Sequence, residues 1–472
     1  MSTKNLLNED IRLINVGNPN FRSDFERQNI PFVHLEWRPK AGGDEKLLAA
    51  LKKIRPFREK IQAANDKALE RMQKAEGVLI GIKKAIDVIP DMDENTILHS
   101  GPPIAFDDMA GPMQGAIVGA LLYEGKAKDH DEAYEIARSG KIRFDSAHHH
   151  DAVGPMAGII SPSMPVHVLK DSVHGNQAYC TVNEGLGKVL RYGANSQEVI
   201  DKLKWLETTY MPIVDAAINQ TDGIDIKSII TQALHMGDEC HNRNKASSAL
   251  FLREVAPLIA GTDVEGEKKR EVIAFIKENE HSFLNLSMPY AKLATMCAHG
   301  IEYSTIITAM SRNGVNFGIR LSGSDTWYEA PANYVEGLLF PGFTMDDAAP
   351  DIGDSSITET AGIGGFAMGG APAIVKFVGS QVQKAFDYSK EMHEITHAKH
   401  GTFTLAPLDF MPTALGIDPV KVIETNILPI INTGMAHKDA GVGQVGAGLV
   451  HPPKECFEDA ILDLAERLEE KQ

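Results

Sequence analysis

Glycine and proline punctuate the chain most densely between Ile97 and Tyr192, and this punctuation limits what the segment can form. It contains GPPI from Gly101, GPMQG from Gly111, GPMAG from Gly154 and SPSMP from Ser161. Proline removes a backbone donor and clashes inside a helix, whereas glycine adopts turn conformations that other residues avoid. The pattern therefore predicts short elements joined by tight turns. G-P-M-x-G occurs twice, which indicates two similar turns rather than a repeat architecture.

Helical periodicity is strongest over Ser196–Glu280, most clearly over Ile229–Ala260, and continues over Asn285–Met310. Strand candidates are short and irregularly spaced, unlike the regular alternation of a barrel: Asn313–Ile319, Val335–Phe340 and Ile427–Asn432. We therefore predict an α+β (mixed α/β), multi-domain protein with a helical subdomain in the middle of the chain. The predicted divisions are an N-terminal βαβ piece with helices (1–95), a Gly/Pro-rich α/β domain (96–195), the helical subdomain (196–280) and a C-terminal α/β domain (281–472).

Both ends of the chain carry recognisable local patterns. Ile11–Gly17 and Ile30–Trp37 are strand candidates around a polar segment, as in one βαβ step. Asp44–Ala75 predicts a helix that Pro56 divides. Glu455–Lys471 predicts an amphipathic acidic helix.

Charge and cysteine usage bound the class of protein. The 47 Lys and Arg against 64 Asp and Glu give a net charge of −17, which argues against non-specific nucleic-acid binding. Small anionic substrates need only a few local cations and stay compatible. Four cysteines without a CxxC pair suit a reduced compartment. Because neither a signal-peptide pattern nor an apolar run of membrane-spanning length is present, we expect a cytoplasmic protein without a membrane segment.

Three consecutive histidines precede the second GPM turn, in AHHHDAVGPM from Ala147. On an extended segment, His148 and His150 would point the same way. They could ligate a metal, hold an anion or shuttle protons. The alternative is a solvated or capping cluster. Because no standard zinc spacing is present, we assign no metal and no cofactor.

A second dense polar stretch is HMGDECHNRNKAS from His235. On a helix, Asp238, Asn242 and Lys245 would lie near one face, and His241 would share a face with Lys245. This density predicts a face that lines a polar cleft. The alternative is an exposed helix with an internal ion pair. The candidate residues here are Asp238, His241, Arg243 and Lys245.

Two further features suit anion binding. The amides of Gly362, Gly364 and Gly365, in the glycine-rich run from Glu359, could cradle an anion or form a close-packed turn. The polar segment before this run argues against a dinucleotide fingerprint. Arg320, in a predicted strand beside glycine turns, suits bidentate recognition of phosphate or carboxylate. The alternative for Arg320 is a surface residue on an edge strand.

Taken together, these motifs resemble the YlbE/YahG family of bacterial proteins. The resemblance covers about Asn15 to Ala465 and is carried by HSGPPI, GPMQGAIVGALLYEG, HHHDAVGPMAGIISPSMPV, HGNQAYCTVNEGLGKVLRYG, QALHMGDECHNRNKA, ITETAGIGGFAM and GVGQVGAGLVHPP. It implies a mixed α/β, multi-domain fold with a helical part. One branch of the family, AllG, is a subunit of the oxamate carbamoyltransferase of anaerobic allantoin degradation.

The resemblance implies a carbamoyltransferase subunit that converts carbamoyl phosphate and oxamate to oxalurate and phosphate, or catalyses the reverse. It also implies FdrA-like and AllH-like partner subunits, and we expect a homo-oligomer. Such chemistry needs donors for the anions and a base for the attacking nitrogen. Our candidates for the anions are Arg243, Lys245, Arg320, Gly362, Gly364 and Gly365; for the base and the oxyanion donor they are His148, His150 and His241, with Asp238 orienting a histidine. The alternatives are a non-catalytic partner-binding subunit and a metal-dependent hydrolase built on the histidine cluster.

Overall fold

A computed structural model describes residues 13–35, 37–376 and 381–471. The N-terminal stretch that lacks a signal-peptide pattern lies outside the described residues, as does the start of the strand candidate Ile11–Gly17. Glu36, in the second strand candidate, and residues 377–380, at the end of the glycine-rich apolar run, also lie outside them.

The strands, in chain order, are β1 (Leu13–Val16), β2 (Phe32–Leu35), β3 (Gly77–Lys84), β4 (Thr96–His99), β5 (Arg143–Ser146), β6 (Ala152–Val153), β7 (Pro165–Asp171), β8 (Gln177–Thr181), β9 (Ile224–Asp225), β10 (Ile307–Asn313), β11 (Asn316–Leu321), β12 (Tyr328–Pro331), β13 (Glu336–Leu339), β14 (Ile352–Gly353), β15 (Thr396–Leu405), β16 (Met411–Ile417), β17 (Ile431–Ala436) and β18 (Gln444–Val450).

The α-helices are α1 (Arg22–Arg27), α2 (Glu45–Ile54), α3 (Arg58–Lys74), α4 (Ala85–Val88), α5 (Gly111–Tyr123), α6 (His130–Arg138), α7 (Gln197–Trp205), α8 (Met211–Ile218), α9 (Ile226–His235), α10 (Lys245–Ala260), α11 (Gly266–Glu278), α12 (Leu284–Met296), α13 (Ile357–Thr360), α14 (Val382–Glu391), α15 (Pro419–Thr425) and α16 (Lys454–Glu469).

Several separate sheets share this chain with the helices. The largest has the order β6-β8-β7-β3-β9, a second has the order β12-β11-β10-β14, and a third has the order β13-β18-β17. Smaller two-stranded sheets pair β1 with β2, β4 with β5, and β15 with β16. The predicted α+β, multi-domain class is confirmed. The domain boundaries at residues 96, 196 and 281 stay predictions.

Two hydrophobic cores dominate the interior, and a buried helix, α12, packs between the first core and strand β10, which contributes to the second. The first core packs α5, α8, α9 and α10 with the five-stranded sheet, and the second packs β10, β11, β17, β18 and α16 together. Helix α12 contacts β7 and β8 on one side and β10 and α13 on the other. Every residue from Asn285 to Thr295 is buried. A helix enclosed on all sides cannot be amphipathic, which explains its mostly apolar sequence.

Several local predictions are confirmed. Strands β1 and β2 are parallel and flank α1, as in a βαβ step. A 3-10 turn at Arg55–Phe57 divides α2 from α3 at Pro56. The acidic tail forms α16.

Two strand predictions have the wrong bounds. The chain turns at Gly314, whose φ of 81° is a glycine conformation, so Asn313 ends β10 and β11 starts at Asn316. The predicted strand Ile427–Asn432 starts only at Ile431 and continues to Ala436, because Pro429 lies inside the predicted run and cannot donate to a ladder.

Across the described ranges, the helices include none with the length and apolar character that crossing a bilayer requires.

Arg312, at the end of β10, ties two sheets together from a completely buried position. Its Nε donates to Asp351 Oδ2 at 2.7 Å, and its Nη1 donates to the carbonyl of Gly353 at 2.7 Å. Its Nη2 donates to Thr433 Oγ1 on β17 at 2.9 Å. A charge this deep persists only when it is paired and hydrogen-bonded.

We expect Arg312→Met to lower the free energy of unfolding by about 3–5 kcal/mol, because it leaves the Asp351 carboxylate buried without its cation. Urea unfolding at neutral pH measures this loss. The matched control is Arg253→Met, which removes an exposed arginine paired with Glu254 and should change stability by at most about 0.5 kcal/mol. Equal effects of the two substitutions would contradict the assigned role of Arg312.

Candidate functional site

A layer of buried polar side chains lies where the two cores meet. Phe366 packs into the second core and Ala367 into the first, which places this segment at the boundary. We call the group the polar layer; its members are His99, His148, Asp238, Glu239, His241, Lys292, Ser311, Arg312, Asp351, Asp354, Ser355, Thr358, Glu359 and Thr433. So many buried polar groups need mutual hydrogen bonds, and the layer is organised by them.

Asp354 is the acceptor around which several segments of the polar layer converge. Its Oδ1 accepts from the Gly101 amide at 2.8 Å and from Ser311 Oγ, and its Oδ2 accepts from the Gly154 amide at 2.8 Å. His148 Nε2 lies 3.3 Å from Oδ1. Burial by itself raises the pKa of Asp354, but His148 and these donors outweigh it and the pKa is lowered. The carboxylate is therefore held ionised in the interior.

Residues 236–244 form a loop between α9 and α10, so the predicted helix through Asp238 and Asn242 is wrong. Gly237 and Cys240 have φ values of 82° and 60°, which a right-handed helix does not allow. Asp238 stabilises the loop by accepting from the Cys240 amide at 2.9 Å and from the Ser247 amide at 2.9 Å. Polar density in this segment therefore reflects a side-chain-stabilised loop.

Glu239 fixes the part of the loop that carries His241. Its carboxylate accepts from the amides of His241 at 2.7 Å and Asn242 at 3.3 Å, and also from that of Arg243. Burial, followed by the neighbouring Asp238 carboxylate, raises the pKa of Glu239 well above its usual value.

His241 and Glu359 form a buried dyad. Nδ1 of His241 lies 2.8 Å from Glu359 Oε1 and 3.0 Å from Thr358 Oγ1. The two side chains are 3% and 0% exposed. A carboxylate at Nδ1 selects the tautomer that carries the proton there and leaves the Nε2 lone pair free. Glu359, rather than Asp238, orients this histidine.

A small cavity of about 30 Å³ opens beside His241. Its polar lining includes Arg191, His241, Asn242, His281, Ser355 and Thr433. This volume holds about one or two water molecules. Leu186 lines both this cavity and a wider cleft of about 630 Å³.

Arg191 is the cation of the cavity. It is buried, with Nη1 donating to Asn183 Oδ1 at 2.8 Å and Nη2 donating to the carbonyl of Gly185 at 2.7 Å. Its nearest carboxylate, Glu184, lies 3.4 Å away. Burial and then Arg191 lower the pKa of His281 to about 4, so His281 is neutral at pH 7. The cavity thus presents one fixed cation.

His148 and Arg320 both lie close to the ring of Trp327. The rings of His148 and Trp327 are 5.5 Å apart, and the Arg320 guanidinium lies 5.6 Å from the Trp327 ring. Lys292 on α12 donates to the carbonyl of His148 at 3.0 Å. None of these residues belongs to the cavity lining around His241.

His150 lies apart from His148 because Ala147–His150 form a 3-10 turn, so the predicted extended geometry is wrong. Its Nε2 lies 3.0 Å from Asp145 Oδ2, and its Nδ1 lies 2.6 Å from the carbonyl of Pro90.

The remaining predicted residues take varied positions. Arg243 is partly buried next to His241, whereas Lys245 is exposed and pairs with Glu280 at 2.8 Å. The amides of the three candidate glycines donate inside the protein: Gly362 to the Glu359 carbonyl, Gly364 to the Glu239 carbonyl, and Gly365 to Glu359 Oε1. These hydrogen bonds therefore stabilise the backbone and the carboxylate of the His241–Glu359 dyad.

The candidate set derived from the sequence did not include Arg191, Lys292 or Glu359. Lys292 carried a usable signal, because it is the only charged residue in the otherwise apolar and small run LNLSMPYAKLATM. Arg191 carried no such signal. Glu359 could be read from the sequence as a loop cap or a ligand, but no local pattern joins it to His241, 118 residues away.

One group among the described residues has ligand atoms close enough to hold a metal ion: Asp171, His174 and Cys297, all within 4.8 Å. Asp171 and His174 lie at the turn between β7 and β8, and Cys297 follows α12. Asp171 Oδ1 already accepts from the Glu76 and Val173 amides. The group is thus separate from the polar layer.

Comparison with known proteins adds sequence and structural relatives. Residues 142–355 match the family model "Oxamate carbamoyltransferase subunit AllG". The uncharacterized protein YahG of Escherichia coli (strain K12) is 47% identical over 468 residues, which cover 98% of this chain and 99% of YahG. The oxamate carbamoyltransferase subunit AllG of the same organism is 44% identical over 412 residues, 86% of this chain and 98% of AllG. The crystal structure of a conserved protein of unknown function from Enterococcus faecalis V583 superimposes with a TM-score of 0.86 at 48% identity, over 87% of this chain and 99% of that one.

Three neutral histidines, of which His148 and His167 are buried and His281 is partly buried, predict acid lability. Burial is the first cause that lowers the pKa of His148, His167 and His281, each to about 4 from the ordinary value of 6.5. Between these values the unfolded chain binds more protons than the native one, so stability falls as pH falls. We expect the free energy of unfolding to drop by at least about 2 kcal/mol from pH 7 to pH 4.5, measured by urea unfolding.

In the same experiment, His281→Asn should flatten the pH profile, whereas His130→Gln, at a more exposed histidine that bonds Asn195, should leave it unchanged. A free energy of unfolding that stays constant across this range would refute the assignment.

Proposed function

This chain belongs to the YahG and AllG family, and we propose from that premise that it is an AllG-like carbamoyltransferase subunit that carries its own catalytic cavity. The proposed reaction joins carbamoyl phosphate and oxamate to give oxalurate and phosphate, or runs in reverse. Support for the reaction type comes from the AllG relative, an oxamate carbamoyltransferase subunit by name, which is 44% identical to this chain.

The observation that carries the proposal is the buried His241–Glu359 dyad beside a cavity with Arg191 as its cation. A carboxylate behind a histidine is the arrangement that general-base catalysis uses, since it fixes the ring and stabilises the imidazolium that forms. A buried arginine suits an anionic substrate, because a guanidinium binds carboxylate or phosphate with two parallel hydrogen bonds.

In the proposed step, the amide nitrogen of oxamate attacks the carbamoyl carbon while the bond from that carbon to the phosphate oxygen breaks. His241 Nε2 accepts the proton from the nitrogen, and phosphate leaves with the bonding electrons. Arg191 holds one anion and opposes the charge that develops on it. Arg243, two residues from His241 in the same loop, is the candidate for the second anion.

Substrate entry requires the cavity wall to move, because about 30 Å³ is too small for either substrate. Leu186 forms the part of the wall shared with the wide cleft and is 62% exposed. Gly185 and Gly187 flank it with φ values of 104° and 96°, a region open to glycine. We place the entrance at this segment.

The AllG relative is named as a subunit of its enzyme. We therefore propose that this chain acts in an assembly, in which its activity should be assayed. FdrA-like and AllH-like chains are the proposed partners. If the chain is instead a non-catalytic subunit, the isolated chain should bind no substrate. Ligand binding therefore distinguishes a catalytic from a non-catalytic subunit.

Thermal unfolding of the purified chain with millimolar carbamoyl phosphate, oxamate or oxalurate tests substrate binding, with phosphate and sulfate as controls. A ligand at about 100 times its dissociation constant should add about 2.7 kcal/mol of stability. A shift beyond the phosphate control supports a substrate site on this chain. No shift with any of these three ligands would favour a non-catalytic subunit.

We expect His241→Gln to lower kcat of the assembled enzyme by about 10²- to 10⁴-fold, because glutamine cannot take up the proton. The thermal midpoint and the binding of the anions should change little. His235→Gln, at a histidine on α9 that bonds Thr404, is the matched control. Wild-type kcat/KM in His241→Gln would refute the role of His241 as the base.

A further inference from the structure

A second group of cations lies outside the cavity, around Lys292. This ammonium is completely buried, and its hydrogen bond goes to the carbonyl of His148 at 3.0 Å. An ammonium has three N–H donors, so its capacity for an anion is not exhausted by one carbonyl. Of the nearby carboxylates, Asp354 is occupied by the donors described above, and Asp151 is partly exposed.

Arg320 completes this group. Its side chain is 9% exposed, and its Nε is buried without a hydrogen-bond partner. Its Nη2 donates to Asp325 Oδ1 at 3.1 Å. Lys292 donates to the His148 carbonyl, and both the His148 ring (5.5 Å) and the Arg320 guanidinium (5.6 Å) lie near the Trp327 ring, so the three groups are neighbours. In keeping with this, burial lowers the pKa of His148 and the two cations lower it further. Two cations, Lys292 and Arg320, therefore lie next to the neutral imidazole of His148.

Asp325 pairs with Arg320 on the solvent side of this group. Its side chain is 91% exposed, and its Oδ1 lies 2.9 Å from His299 Nε2 as well as 3.1 Å from Arg320. The Trp327 ring lies 5.6 Å from the Arg320 guanidinium and is only partly buried. An exposed carboxylate gains little from such a pair, so a better anion from solution can displace it.

We propose that Arg320 binds a small oxyanion, either a carboxylate or a phosphate, beside the buried charge of Lys292 at a site distinct from the His241 cavity, and that Asp325 competes for it. The planar guanidinium binds both anions with two hydrogen bonds, and the buried ammonium adds a charge that water screens weakly. The inference does not depend on the proposed carbamoyl transfer, because it concerns equilibrium binding alone.

Calorimetric titration of the full chain with inorganic phosphate and, separately, with acetate tests this site at a constant ionic strength set with chloride. We expect Arg320→Gln to weaken binding of the preferred anion at least about tenfold, since charge-assisted hydrogen bonds of this kind are lost. Asp325→Asn should instead tighten binding several-fold. This gain cannot come from misfolding, because the Asp325 side chain is almost fully exposed.

Arg138→Gln is the matched control. Arg138 pairs with exposed Asp107 at 2.7 Å and lies 5.5 Å from the ring of Tyr134, much as Arg320 does with Asp325 and Trp327. It should leave the affinity for both anions unchanged. The stronger-binding anion of the two identifies the ligand class.

The proposal is overturned if neither anion binds wild type or Asp325→Asn, or if Arg320→Gln and Asp325→Asn both keep the wild-type affinity. It is equally overturned if anion binding is lost in Arg191→Gln and kept in Arg320→Gln. Loss of activity in His241→Gln with anion binding intact would leave this site standing, so the failure of one proposal is distinguishable from the failure of the other.

Discussion

The buried carboxylate of Asp354 is the constraint on which the centre of the molecule depends. Burying an unpaired ion costs several kcal/mol, so the chain must bring donors to it. Those donors are the amides of Gly101 and Gly154 and the hydroxyl of Ser311. Both glycines are required by space: an added Cβ would lie 2.5 Å from the Arg312 backbone at Gly101 and 2.5 Å from Gly158 at Gly154. The turns at Gly101 and Gly154 therefore allow backbone amides to reach a buried charge.

The segment from Asp351 to Thr360 divides the polar layer into two chemically different parts. Asp354 contacts His148, which lies with Lys292 and Arg320, whereas Glu359 contacts His241 beside the cavity. One part holds the His241–Glu359 dyad and Arg191, and the other holds Lys292 and Arg320. A protein of strongly negative net charge thus also places a few positive charges in its interior, where solvent screens them least.

The sequence predicted those features whose cause is local. Pro56 divides two helices, glycine and proline mark the turns, and the acidic tail forms a helix because each signal acts over a few residues. The loop of His241 was predicted as a helix because its polar residues share helical spacing, but Asp238 and Glu239 use their carboxylates to bind the loop amides instead. The dyad partner Glu359 lies 118 residues from His241 and no local pattern joins them. Candidate residues can therefore be identified from the sequence, whereas their pairing depends on tertiary structure.

The partners of Asp354 are far from it in sequence, and this separation determines when their contacts can form during synthesis. Its partners Gly154 and Gly101 precede it by 200 and 253 residues. At the usual ribosomal rate of about 5–20 residues per second, these turns emerge about 10–50 seconds before the carboxylate that they bind. During that interval the nascent N-terminal half carries amides and a histidine aimed at an acceptor not yet synthesised. Its interior must stay hydrated until the C-terminal half arrives, so the centre of this protein closes only after translation is well past its midpoint.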